Sequence, residues 1–192
     1  QPTEAPTQQA QTTQAAPTEQ PTPEPDLVQQ LLEEMTLEQK VGQLFLVRPD
    51  SLDLSQTQDQ INDAKADGVT ELTDAMRQTL AEYPVGGVVI FGKNLESPQQ
   101  ITQFLDDLQQ ASDTPLFTAI DEEGGLVARL ANNAAFDLPQ YESAAAVGTS
   151  GNPEDARAMG RTIGGYLKEY GFNLDFAPVA DAVSYTHLRA HE

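Results

Sequence analysis

Three acids followed by two glycines, Asp121-Glu122-Glu123-Gly124-Gly125, are the residues of this chain best suited to hold a polar ligand. Acids packed this closely repel one another, and paired glycines allow backbone turns that other residues resist. That combination suggests a carboxylate held against a ligand. The same spacing also describes an acidic turn facing solvent, and the three acids would serve as oxygen ligands in a magnesium-dependent barrel. A second pair, His187 and His191 at i and i+4, has the spacing of a metal-binding or catalytic couple.

The elements that must position these groups follow from apolar patterning. Leu116-Phe-Thr-Ala-Ile120 reads as a buried parallel strand, so Asp121 stands where it ends. Before it, Asp26 caps a helix carrying Leu27, Val28, Leu31, Leu32 and Met35, and Thr36-Leu-Glu-Gln39 has capping-box spacing for a second. Leu44-Phe-Leu-Val47 is the first strand, and residues 50–69 read as a polar insertion or long loop rather than core. A helix over 73–83 has Ala75, Met76, Leu80 and Tyr83 as its expected inner set. Val85 to Phe91 is the next strand, with Lys93 expected at the surface just beyond it. Ser97-Pro98 opens a helix whose Ile101, Phe104, Leu105 and Leu108 form one apolar face. Asn152-Pro153 opens another, with Ala156, Met159, Ile163, Leu167 and Tyr170 inside and Gly171 as its stop. The close packing of this helix on neighbouring backbone would explain Gly160, Gly164 and Gly165. Asn173-Leu-Asp-Phe-Ala177 supplies a fourth strand. Strands alternating with helices predict an α/β fold with a parallel sheet.

Composition narrows the function. Thirty acidic against ten Lys and Arg residues give a formal net charge of −20, which disfavours nucleic acid and anionic lipid as partners. Cysteine is absent, so disulfides and thiolate zinc sites are excluded. No apolar run reaches membrane-spanning length. Residues 1–25, built almost wholly from Gln, Pro, Thr, Ala and Glu, are expected to be a disordered tether of the kind that separates an export signal or lipid anchor, lost upstream, from a surface domain.

Four motifs carry a family resemblance. Leu31-Leu-Glu-Glu-Met-Thr-Leu-Glu-Gln-Lys-Val-Gly-Gln-Leu44, Gly86-Gly-Val-Val-Ile-Phe91, Ile120-Asp-Glu-Glu-Gly-Gly-Leu-Val-Ala-Arg-Leu130 and Asn173-Leu-Asp-Phe-Ala-Pro-Val-Ala-Asp181 occur in this order. Together they resemble the N-terminal domain of glycoside hydrolase family 3, in its bacterial β-N-acetylhexosaminidase branch. The resemblance implies that residues 26–183 are the N-terminal half of a (β/α)8 TIM barrel, whose sites gather at the C-terminal ends of the strands. It also implies that Asp121 accepts hydroxyl hydrogen bonds from the sugar and that Arg129 lines the same pocket. Glu123 is expected to accept backbone donors of the turn, Glu122 to face solvent or the rim, and Asp175 and Asp181 to brace loops and strands. Lys93 and Asn94 fall at the same end of the barrel, where they could rim the pocket.

The implied activity is removal of terminal β-linked N-acetylglucosamine from cell-wall or chitin oligosaccharides by an exported, extracellular or cell-surface parent protein. No metal or organic cofactor is implied. β-Glucosides or β-xylosides are the alternative substrates within the family, and a sugar-binding surface lipoprotein without catalysis is the alternative outside it. The family's aspartate nucleophile and histidine acid/base belong to the second half of the barrel, so this chain alone is expected to be inactive. Residues 184–192, which hold both histidines, depart from the family pattern and resemble a non-native scar.

Overall fold

The computed structural model describes residues 26–178. Helix α1, Leu27–Glu34, is capped by Asp26, whose carboxylate accepts from the backbone N–H groups of Val28 and Gln29. Its apolar side chains Leu27, Val28, Leu31 and Leu32 remain exposed.

From Met35 onward the chain forms a second unit. Its first helix, α2 (Leu37–Gly42), starts with the expected capping box between Thr36 and Gln39. Strand β1 is only Leu46–Val47; Leu44 and Phe45 precede it and are exposed, which shortens the predicted strand at its start. A 3₁₀ turn at Pro49–Leu52 and a short helix α3, Gln58–Asn62, follow. Most of this segment is exposed, as expected of a polar insertion or long loop, but three positions enter the core. Asp50 is fully buried, Leu52 and Ile61 are buried, and the Asp50 carboxylate pairs with Lys93 Nζ at 3.2 Å while accepting from Val69 N–H and Asn94 Nδ2. Lys93 also donates to the carbonyls of Gln60 and Ile61. Its side chain is 6% exposed, so the surface placement predicted for it is wrong. Polar composition disguised this segment, because buried charges are tolerated when every oxygen and proton has a partner.

Helix α4, Asp74–Glu82, turns Met76, Thr79 and Leu80 inward. Ala75 and Tyr83, predicted inside, are exposed. The Thr79 hydroxyl can enter the core because it donates to the Ala75 carbonyl one turn back. Strand β2 (Gly87–Ile90), helix α5 (Pro98–Gln110) and strand β3 (Phe117–Ile120) match their predicted places, and the four apolar residues named for α5 are all buried.

Beyond β3 the acidic stretch folds into an antiparallel hairpin, β4 (Glu122–Gly124) with β5 (Val127–Ala128). Helices α6 (Ala144–Gly148) and α7 (Pro153–Glu169) lead to β6, Leu174–Asp175. Helix α7 buries Met159, Ile163, Tyr166 and Leu167; Ala156 is exposed, and Tyr166 is an inner residue the apolar pattern missed. No atom lies within 4 Å of where a Cβ would stand on Gly160, Gly164 or Gly165, so the close backbone packing expected there is absent among the described residues.

The main sheet is parallel, in the order β1-β2-β3-β6, with each strand beside its predecessor in the α/β alternation. Val88, Ile90, Thr118 and Ile120 are fully buried, on the face that packs with Phe104, Leu105, Leu108 and Ile163 in the core. No helix among the described residues is long and apolar enough to cross a membrane.

Candidate functional site

Asp121 is the first residue beyond β3, and the hairpin explains why an arginine eight positions later returns to it. Gly124 and Gly125 take φ of 82° and 69°, in the left-handed region where a Cβ is unfavourable, and reverse the chain within a few residues. The Arg129 N–H then approaches the Asp121 carbonyl at 3.4 Å, and Arg129 Nη2 donates to Asp121 Oδ2 at 3.1 Å. The two side chains are 24% and 22% exposed, so the pair is shielded without being sealed. The Arg129 guanidinium also lies 5.6 Å from the centroid of the Phe91 ring, at the end of the neighbouring strand. Arg129 Nε is a buried donor with no acceptor among the described residues.

Glu122 departs from the role expected of it. Glu122 is fully buried, not at solvent or the rim. Its Oε2 accepts from Leu130 N–H at 2.8 Å, and its Oε1 accepts from Ala131 N–H at 2.9 Å and from the Tyr166 hydroxyl at 2.8 Å. Glu122 therefore accepts the backbone donors that follow the hairpin; Glu123 is partly exposed. Strand alternation carried the signal: Thr118, Ile120 and Glu122 share one parity and all are fully buried, while Asp121 lies on the other. Because both Glu122 oxygens face protein donors, it does not join Asp121 and Glu123 as a magnesium ligand set. Among the described residues no three His, Asp or Glu side chains are placed to hold a metal.

Asp175 has the bracing geometry expected of it, its Oδ1 accepting from Glu122 N–H at 2.9 Å across the β3–β6 boundary. Burial raises its carboxyl to about 6; the Glu122 N–H opposes that rise, and the charges of Glu122, Asp121 and Glu123 add to it. Tyr166 is likewise raised, first by burial and then by its bond to Glu122. Asn94 is fully buried against Asp50 and the Val69 carbonyl, so it does not rim a pocket. Asp181, His187 and His191 lie outside the described residues.

Sequence reasoning passed over Arg48. It follows β1 and its guanidinium stands 4.2 Å from the Phe91 centroid, nearer than that of Arg129. The Phe91 ring is thus the common neighbour of both arginines at the C-terminal end of the sheet. This arrangement can present a carboxylate acceptor, guanidinium donors and an aromatic face to a hydroxylated ligand.

The chain is similar to known proteins. Residues 36–188 match the sequence profile described as the glycosyl hydrolase family 3 N terminal domain. A beta-hexosaminidase A of Pseudoalteromonas piscicida is 32% identical over 121 residues, covering 60% of this chain and 20% of that protein. A beta-hexosaminidase of Thiobacillus denitrificans is 33% identical over 116 residues, covering 58% of this chain and 32% of its own. Among solved structures, a glycoside hydrolase family 3 beta-N-acetylglucosaminidase from Paenibacillus sp. str. FPU-7 is similar with a TM-score of 0.59 and 32% identity, over 75% of this chain and 24% of that one. The chain thus spans between a fifth and a third of the length of these relatives.

Proposed function

The chain belongs to the glycosyl hydrolase family 3 N-terminal domain family, and from that premise we propose that its parent protein is an exported β-N-acetylhexosaminidase acting on cell-wall or chitin oligosaccharides. The four parallel strands would be the first half of a (β/α)8 barrel, and the remaining half would complete the pocket at their C-terminal ends. Asp121 would accept two hydroxyls of the terminal sugar, with Arg129 donating from beside it. Both contacts are charge-assisted, and such bonds are roughly twice as strong as neutral ones.

The observation that carries this reading is the Asp121–Arg129 pair at the end of β3, half-shielded and held by a hairpin within the matched region. Hydrolysis with retention would use an aspartate nucleophile and a histidine acid/base from the second half of the barrel, so residues 1–192 alone would bind weakly and not turn over. Export and surface tethering are proposed on the Gln/Pro/Thr-rich residues 1–25.

The test is hydrolysis of chromogenic β-N-acetylglucosaminide, β-glucoside and β-xyloside by the full-length protein. Turnover should be confined largely to the first. Preference for the glucoside or xyloside would move the substrate class, and sugar binding with no turnover of any of the three would favour a binding lipoprotein.

A further inference from the structure

The two cations beside Phe91 differ in how their charges are matched. Arg129 is ion-paired with Asp121, whereas among the described residues no carboxylate lies within ion-pair distance of Arg48. Arg48 Nη1 donates to the Ile61 carbonyl at 2.8 Å and approaches Asn62 Oδ1 at 3.5 Å, both neutral acceptors. That ties the end of β1 to α3 and occupies one nitrogen. The Nε and Nη2 edge has no hydrogen-bond partner among the described residues, although the residue is partly buried.

Register puts Arg48 beside the pair. Leu46 pairs with Gly87 and Gly87 with Phe117, and alternate residues of a strand share a face. Arg48, Phe91 and Asp121 therefore stand on one face of the sheet at the C-terminal ends of three adjacent strands. The Phe91 ring limits the freedom of the guanidinium stacked on it, and its Nε–Nη2 edge offers two parallel donors, the geometry a carboxylate accepts. On a chain of formal net charge −20, a cation without a matching acid is a local reversal of the field that attracts an anion.

We propose that Arg48 forms an anion subsite next to the sugar-binding pair, selecting N-acetylglucosaminides whose adjoining group carries a carboxylate. The inference rests on the glycosidase reading above and narrows its substrate class. A simple tie between β1 and α3 would need only Nη1 and would be indifferent to ligand charge.

The test compares N-acetylglucosamine β-linked to glucuronate with the methyl ester of the same disaccharide, using the full-length protein. Calorimetric Kd and kcat/KM are measured for both. At low salt the acid should bind about tenfold more tightly than the ester, and added salt should narrow that gap. Arg48→Gln should weaken binding of the acid about tenfold more than binding of the ester, and Arg48→Lys should fall between, keeping the charge without the fork. Equal affinity of the wild type for acid and ester would overturn the inference and needs no variant to fold. So would a parallel loss of both ligands in Arg48→Gln. In either case continued hydrolysis of the ester would leave the glycosidase reading standing, whereas failure to bind or cleave either ligand would overturn both.

Discussion

The Tyr166 hydroxyl of α7 donates to Glu122 Oε1 at 2.8 Å where both side chains are buried. The other two bonds of that carboxylate go to the backbone N–H groups of Leu130 and Ala131, the residues immediately after Arg129. A helix on the covered face of the sheet therefore fixes, through one acid, the backbone from which Arg129 reaches Asp121 on the opposite face. The path from core packing to the candidate site is short: α7, Glu122, residues 130–131, Arg129.

Glu122→Ala removes the acceptor of three buried donors. An unsatisfied buried polar group costs about 1–3 kcal/mol, so the full-length protein should lose about 3 kcal/mol or more by urea denaturation. Tyr166→Phe removes one donor and should cost only about 1 kcal/mol. A Glu122→Ala protein as stable as wild type would show that water or a rearranged turn satisfies these donors.

On the proposed glycosidase reading, Asp121→Ala should lower kcat/KM of the full-length protein by about two orders of magnitude, since sugar hydroxyl contacts tighten at the transition state. Arg129→Lys keeps the charge but loses the planar fork and its stacking on Phe91, and should cost about tenfold. Wild-type kinetics in Asp121→Ala would mean that the carboxylate only shapes the turn.

How far the site was legible depended on which signal each residue carried. The end of β3 at Asp121 followed from an apolar run, and the helix starts at Thr36, Ser97 and Asn152 from capping chemistry, because both are local. Glu122 reads as a surface residue by its type and as a buried one by strand parity; its burial depends on three partners, one of them 44 residues away. Asp50 and Lys93 also read as surface residues by type, since a matched buried ion pair looks polar in sequence. Arg48 is invisible until β1 and β2 are paired and Phe91 falls beside it.

Gly125 offers a test of the hairpin itself. At φ 69° a side chain is strained, and a Cβ there would stand 2.7 Å from the Glu142 carbonyl oxygen, which is backbone and cannot swing aside. Gly125→Ala should destabilise the protein by about 1–3 kcal/mol and raise KM as Arg129 loses its fixed position. An unchanged melting temperature would show that the turn relaxes without cost.

Asp175 supplies a prediction about pH. Its folded carboxyl is raised from an ordinary 3.8 to about 6, chiefly by burial. Between those values the folded state holds a proton that the unfolded chain has released. Its contribution to stability is therefore present in full below the unfolded value and is lost as pH rises through the folded one. Other acids titrate over the same range, so the informative quantity is the difference between wild type and Asp175→Asn, whose amide oxygen can still accept from Glu122 N–H. In urea titrations of the full-length protein, the variant should gain on the wild type as pH rises from about 4 to about 7, with little further change above that. A difference that stays constant across this window would mean that Asp175 does not take up a proton on folding. In that case the Glu122 N–H bond, rather than desolvation, would dominate its environment.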